Sequence, residues 1–184
     1  MGVFNESAKW RILSFYFANP SKKTFVKELA RTLKISPATS SYLCAQLHGE
    51  GTLLKQKMGN SLFYCLDNGS PVVRRLKSAW GIAKLTEVPG EWDDAGIMVA
   101  ALYGSFASGE FLEKSDVDLL FVALKDKKEL IKFIPNIEKR MGREVNMAIF
   151  SPAQWMELAR KKDPFYLEVI ANHVLLKGES LSVS

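Results

Sequence analysis

Two aspartates one residue apart, Asp116 and Asp118, open an apolar run from Leu119 to Val122. Alternate residues of a β-strand share a face, so this spacing puts both carboxylates on one side. Upstream, a second apolar run, Ile97 to Tyr103, ends in Gly104-Ser105-Phe106-Ala107-Ser108-Gly109. A small, glycine-containing turn lets backbone amides approach a phosphate. Paired aspartates beside it can hold the Mg²⁺ (or Mn²⁺) that phosphates carry. These residue types single out Gly104 and Ser105 for phosphate and Asp116 and Asp118 for metal.

The pattern Gly104-Ser105-x-Ala107-x-Gly109, then Ser115-Asp116-x-Asp118-Leu119, resembles the signature of nucleotidyltransferases of the DNA polymerase β superfamily. Over about residues 96–178 the chain is similar to the minimal branch of that superfamily. The signature implies nucleotide contact for Ser115 as well. The resemblance implies attack on the α-phosphate of a nucleoside triphosphate, with pyrophosphate leaving and metal ions between the attacking and leaving oxygens. It also implies a third acid on a later strand, in the pattern apolar-Asp-apolar-apolar. The matching segment, Arg143 to Phe150, carries Asn146 at that position. An asparagine offers a carbonyl oxygen but no negative charge, and it cannot serve as a general base. Glu144 lies two residues earlier, on the same strand face. Either Glu144 replaces the missing catalytic acid, or it is solvated at the strand entry and Asn146 completes a site in which nucleotide binding outlasts catalysis.

Elsewhere the chain bears few chemical signals. Its 184 residues suit one large or two small domains, with ordinary apolar and charged fractions. No apolar run approaches the roughly 18 residues of a membrane span, and the first residues lack a basic, then apolar, leader. A cytoplasmic location without membrane contact is the expectation. Cys44 and Cys65 fall within apolar patterns with no ligand-like spacing, as core residues do in a reducing compartment. His48 and His173 are isolated, and neither is assigned to catalysis.

Charge divides the chain. Residues 1–86 hold 13 Lys and Arg against 4 Asp and Glu, whereas residues 87–184 hold 12 against 16. The basic half suits a nucleic-acid partner. Its pattern is three helices and a hairpin: Glu6 to Ala18, Phe25 to Leu33 capped by Thr24, and Pro37 to Glu50 capped by Ser36, then Leu53–Lys57 and Ser61–Leu66 around Gly59-Asn60. The inner face of the third helix is expected at Ala38, Tyr42 or Leu43, and Leu47. The segments 25–30 and 35–43 resemble winged helix-turn-helix regulators of the arsenic-repressor type, over roughly residues 5–68. That resemblance implies double-stranded DNA as partner, with Thr39, Ser40, Ser41 and Gln46 on the reading helix and Lys55, Lys57 and Asn60 on the wing.

From Pro71 to about Thr86 a helix is expected, with Val72, Val73, Leu76, Ala79, Trp80 and Ala83 on its apolar stripe. It suits a homodimer contact. Val88 to Trp92 would break it and mark the domain boundary. The remainder reads as mixed α/β, with one helix over Lys127–Met141 whose inward residues include Ile131, Ile134, Ile137 and Met141. The fold class is therefore α/β (α+β): a winged helix at 1–69, a linker helix at 70–95 and a nucleotidyltransferase-like domain at 96–184. Three functions fit. The leading one is a DNA-binding transcriptional regulator whose second domain binds a Mg-nucleotide as a sensor or weak enzyme. The second is an active transferase targeted by its winged helix, and the third an interaction protein on an inactive fold.

Overall fold

Ser7 starts the first helix by accepting a hydrogen bond from the Trp10 amide, 3.4 Å away. The structure is a computed structural model that describes residues 7–59, 61–86 and 96–182, and it divides between Trp80 and Gly81 into two units. The first unit holds α1 (Ala8–Ala18), β1 (Thr24–Phe25), α2 (Val26–Leu33), α3 (Pro37–Gly49), β2 (Leu53–Met58) and β3 (Ser61–Leu66). Its antiparallel sheet has the order β1-β3-β2. Ile12, Leu13, Tyr16 and Phe17 of α1 are buried, at the three- and four-residue steps of a helix face. The Tyr16 hydroxyl donates to the Tyr64 carbonyl at 3.2 Å and ties α1 to β3.

Three local expectations of this unit change. Thr24 does not cap α2: it pairs with Tyr64 in β1, and Phe25 takes the cap position with no side-chain bond. The sheet ladder satisfies the backbone there, so the cap is superseded. The inner face of α3 is Ser40, Cys44 and Leu47, which leaves Tyr42 70 % exposed on the opposite side. In α4 (Pro71–Leu85), which crosses the division between the units, Val73 and Trp80 of the expected stripe are buried, whereas Val72 is 64 % exposed, Ala79 is exposed and Lys77 joins the buried face. Lys77 is buried because its stem lies along the apolar face while its Nζ donates to Asn68 Oδ1 at 3.1 Å. The expected breaker at Val88–Trp92 lies outside the described residues.

The second unit contains β4 (Ile97–Tyr103), α5 (Gly104–Ser108), β5 (Val117–Ala123), α6 (Lys127–Leu130), α7 (Ile134–Met141), β6 (Val145–Phe150), α8 (Pro152–Lys161), α9 (Pro164–Ala171) and β7 (His173–Lys177). The expected single helix over 127–141 is broken by a 3₁₀ turn at Ile131–Phe133, just ahead of Pro135 in the first turn of α7. Pro135 has no amide hydrogen to give to a preceding turn, so a helix restarts there more readily than it continues. Ile131 is consequently 42 % exposed, while Ile137 and Met141 are buried.

The sheet order is β6-β5-β4-β7, with β5 and β6 parallel and the other pairs antiparallel. A parallel pair needs a crossover, which α6 and α7 supply. Both faces of β5 are buried, as its unbroken apolar run Leu119–Ala123 requires. On one face Leu120, Val122 and Ala101 pack with Trp155, Tyr166 and Val169 from α8 and α9. A capping box at Ser151 and Gln154 starts α8 on this face. Asp118 belongs to the same face, two residues before Leu120, where the helical cover ends.

Candidate active site

At the end of β4 the chain must reverse within one residue to enter α5. Gly104 makes this turn at φ +66°, and a Cβ at that position would stand 2.6 Å from Asp118 Oδ2. Glycine is needed here both for the left-handed backbone and for the space that the carboxylate occupies. The cross-strand register then pairs Tyr103 with Asp118, Asp118 with Asn146, and Tyr103 with His173. Paired residues of neighbouring strands share a face, so Asn146, Asp118, Tyr103 and His173 form one row across all four strands.

Asn146 binds both aspartates. Its Nδ2 donates to Asp116 Oδ2 at 3.2 Å and to Asp118 Oδ1 at 3.1 Å. Carboxylate oxygens only accept, so the amide nitrogen must face the pair. Burial pushes the Asp118 carboxyl up from its ordinary range; the Asn146 hydrogen bond opposes this, and the charges of Asp116 and Glu168 add to it. The Tyr103 hydroxyl is pushed up to about 12, first by burial and then by Asp118 and Glu168, so it stays protonated at neutral pH.

Two carboxylates converging on one small group suit a hard divalent cation, which takes oxygen ligands and completes its shell with water and phosphate oxygens. Among the described residues no group of three or more His, Cys, Asp or Glu gathers to hold a metal. The donor set is therefore Asp116 and Asp118, with the Asn146 amide between them.

Not every expected residue joins this set. The backbone carbonyl of Glu144 accepts from Val117 N at 2.9 Å, which registers β6 on β5. Its side chain is exposed and lines an open hollow of about 730 Å³ with Glu138, Lys139 and Asn146. The structure does not bring Glu144 to the aspartates. Ser115 Oγ accepts from the Leu112 amide at 2.9 Å and closes the loop ahead of Asp116. Gly104 and Ser105 open the short helix α5, with no side chain capping its first amides.

In the first unit Thr39, Ser41 and Gln46 are exposed on α3, and Lys55 and Lys57 on β2. Ser40 departs from expectation: it is fully buried, and its hydroxyl donates to the Val26 carbonyl at 3.2 Å. It joins α2 to α3 and is withheld from any ligand. Asn60 lies outside the described residues.

Some residues were not singled out by spacing. Arg143 Nη1 donates to the carbonyls of Leu112, Glu113 and Ser115 at 2.5, 2.7 and 3.2 Å, and so pins the loop that delivers Asp116. Its guanidinium carbon lies 5.4 Å from the centroids of both Phe106 and Phe111, whose rings stack 3.9 Å apart. Equal distances place it beside the stack, where the rings act as a wall more than as a cation–π partner. His173 and Glu168 are brought towards Asp118 only by the pairing of β4 with β7 and by the placing of α9. In the first unit the exposed Tyr42 lies near Ser41 on α3.

Residues 82–173, which make up half of the chain, match the model of the nucleotidyltransferase domain. The chain belongs to this family. Among curated proteins none matches it. Solved structures similar to it include a toxin–antitoxin complex with AMP-PNP, at 17 % identity and TM-score 0.36, over 54 % of this chain and 73 % of that one. A second is the toxin–antitoxin MntA–HepT, at 14 % identity and TM-score 0.32, over 57 % and 73 %. A third is a tri-AMPylated HEPN toxin of Shewanella oneidensis with its MNT antitoxin, at 15 % identity and TM-score 0.33, over 58 % and 73 %. No helix among the described residues is long and apolar enough to cross a membrane.

Proposed function

We propose that this chain transfers a nucleotidyl group from a Mg²⁺-bound nucleoside triphosphate to a hydroxyl acceptor, and that its basic first unit is a winged helix-turn-helix that targets it to duplex DNA. The convergence of Asp116 and Asp118 beside the Gly104 turn, within a domain of the nucleotidyltransferase family, carries the reading. A divalent cation bound there would offset triphosphate charge and polarise the α-phosphate. The chain's own residues supply the rest. Asp116 and Asp118 hold the cation, the backbone at Gly104 and Ser105 faces the phosphates, and Arg143 fixes the loop that sets Asp116.

For the first unit the support is three helices, the antiparallel pair of β2 and β3, and the excess of basic residues. The α2–α3 connection is only Lys34 to Ser36, and exposed Thr39, Ser41, Tyr42 and Gln46 project from α3. Lys55 and Lys57 would meet the phosphate backbone. The exposed Val72 on α4 is compatible with a homodimer, which sedimentation of the full chain tests.

A second reading, a DNA-binding regulator that senses nucleotide without turnover, is favoured by Asn146 alone. Membership of the nucleotidyltransferase family supports transfer over it. Calorimetry with each Mg-nucleotide, combined with labelled pyrophosphate release, separates the two. Release that disappears in Asp118→Asn supports transfer; saturable binding without release supports the sensor. Absence of binding for all four nucleotides refutes both. For the first unit, a 20-base-pair duplex should bind with a steep salt dependence, and no binding at low salt removes the targeting role.

A further inference from the structure

We propose that the Tyr103 hydroxyl is a phosphate-binding donor, giving its hydrogen to a non-bridging oxygen of the nucleotide phosphate that Asp116 and Asp118 hold through their cation. This rests on the nucleotidyltransferase reading above and adds a residue to that site.

Its place in the fold puts it there. Tyr103 is the last residue of β4, joined directly to Gly104, and it is the cross-strand partner of Asp118. Directly opposed residues of an antiparallel pair hold their Cβ atoms about 5 Å apart on one face. The Asp118 carboxylate in turn fills the space over Gly104, with Oδ2 2.6 Å from where a Cβ would stand. Tyr103 therefore adjoins both anchors of the triphosphate, the aspartate pair and the glycine turn. After burial, the charges of Asp118 and Glu168 are what push its hydroxyl up, so that oxygen lies within electrostatic reach of both.

The hydroxyl is also available. In the row across the sheet Asp118 stands between two neutral donors, Asn146 and Tyr103. The Asn146 amide is engaged by the two aspartates. Among the described residues the Tyr103 hydroxyl has no hydrogen-bond partner; its side chain is half-buried and that oxygen is open to solvent. Tyr16, fully buried in α1, shows the usual arrangement, with its hydroxyl on the Tyr64 carbonyl. A sheltered donor without a partner at a phosphate turn is matched by an acceptor from outside the chain.

The chemistry suits a phosphate oxygen. Asp116, Asp118 and Glu168 bring negative charge to this corner, and a cation offsets it only where it binds. A phenol carries no charge, so it can give the phosphate a charge-assisted hydrogen bond without competing with the cation for the carboxylates, as a lysine here would. The ring is held for this task. Phe165 meets it edge-on at 5.6 Å and packs in turn on Phe150 at 5.8 Å. A donor fixed by packing has little ordering left to undergo when the ligand arrives.

The chain has five tyrosines, so ¹³Cζ-tyrosine labelling of the full protein identifies Tyr103 as the resonance missing from Tyr103→Phe. That resonance should move when α,β-methylene-ATP is added to Mg²⁺-saturated wild-type protein. Tyr103→Phe keeps the ring against Phe165 and removes only the hydroxyl. By calorimetry it should bind Mn²⁺ within about twofold of wild type, yet bind the Mg²⁺ complex of the analogue at least ~10-fold more weakly. Pyrophosphate release should fall in step at limiting MgATP and return to within about threefold at saturation, as loss of a uniform binding contact requires. A Tyr103 resonance unmoved in analogue-saturated protein overturns the proposal, and so does analogue affinity within about twofold of wild type in Tyr103→Phe. A parallel loss of Mn²⁺ affinity overturns it as well, because the hydroxyl would then act on the aspartates and not on phosphate. Wild-type protein that binds no analogue refutes the nucleotidyltransferase reading itself, and the proposal falls with it.

Discussion

The two units place their polar groups in opposite ways. In the first, Lys55 and Lys57 stand exposed on a strand, and none of the described hydrogen bonds holds one lysine to the other. In the second, Asn146 is bonded to both Asp116 and Asp118, and Asp118 Oδ2 occupies the space that a Cβ on Gly104 would take. A field of solvated charges works by its sum and tolerates single losses. A convergent site works by position and fails with one atom out of place. The comparison can be broken at either end.

The largest effect should come from Gly104→Ala. The left-handed backbone alone costs about 1–2 kcal/mol for a residue with a Cβ, and that Cβ would displace the Asp118 carboxylate. Calorimetry should find Mn²⁺ and nucleotide affinity reduced by about 100-fold or more, while duplex binding by the first unit is retained. Near-normal metal affinity in this variant would show that the second unit is no more position-sensitive than the first.

Asn146→Asp sharpens the same contrast by restoring a third carboxylate at the position registered on Asp118. Mn²⁺ binding should tighten by roughly tenfold, about 1.4 kcal/mol, and pyrophosphate release should rise with it. Unchanged affinity and rate would mean that Asn146 is not a metal-facing position.

Acidity offers a test without mutation. A cation needs Asp118 ionised, and burial holds this carboxyl above the ordinary range. Protons therefore compete with the metal at a higher pH than they would at an unperturbed aspartate, and Mn²⁺ affinity should fall on acidification from that point. The sign reverses for the metal-free fold. A carboxyl raised in the folded state favours folding on the acid side, so its ionised form costs stability at neutral pH. Metal-free Asp118→Asn should then melt no lower than wild type at neutral pH, while its metal binding is lost.

Lys55→Glu combined with Lys57→Glu should lower duplex affinity by about tenfold and reduce the salt slope by roughly 2, with nucleotide affinity unchanged. Either single change should produce only part of that. The smallest effect separates two adjacent hydroxyls of α3. Ser40→Ala loses a buried bond to Val26 and should cost about 1 kcal/mol in thermal unfolding, with duplex binding by the folded protein intact. Ser41→Ala should leave stability alone and weaken the duplex complex slightly.

How much was legible in the sequence differs by element. The Ser36-Pro37 start of α3 and the Ser151-Pro152 start of α8 could be read directly, because capping is a contact between residues three apart. The strands on either side of the signature turn were also legible from their unbroken apolar runs. Thr24 reads as a cap because its partner, Tyr64, lies 40 residues away, and Lys77 reads as a solvent residue until Asn68 meets it, although Val73 and Trp80 of the expected α4 stripe are buried. In the candidate site, Asp116, Asp118 and Asn146 followed from spacing and resemblance. Glu168, His173 and Arg143 carried no pattern that spacing could reveal.

The sequence by itself therefore determined the residue types and the local turns: two carboxylates on one strand face, a glycine where the chain must reverse, and an amide where an acid would complete the set. Only the tertiary structure decided which side chains share the row. Glu144 is one residue from β6 yet stands apart from the aspartates, while His173 reaches their row from the far end of the chain. The reason is that strand alternation and helix caps act over a few residues, whereas cross-strand register is set by the burial of whole apolar faces, which no short segment contains.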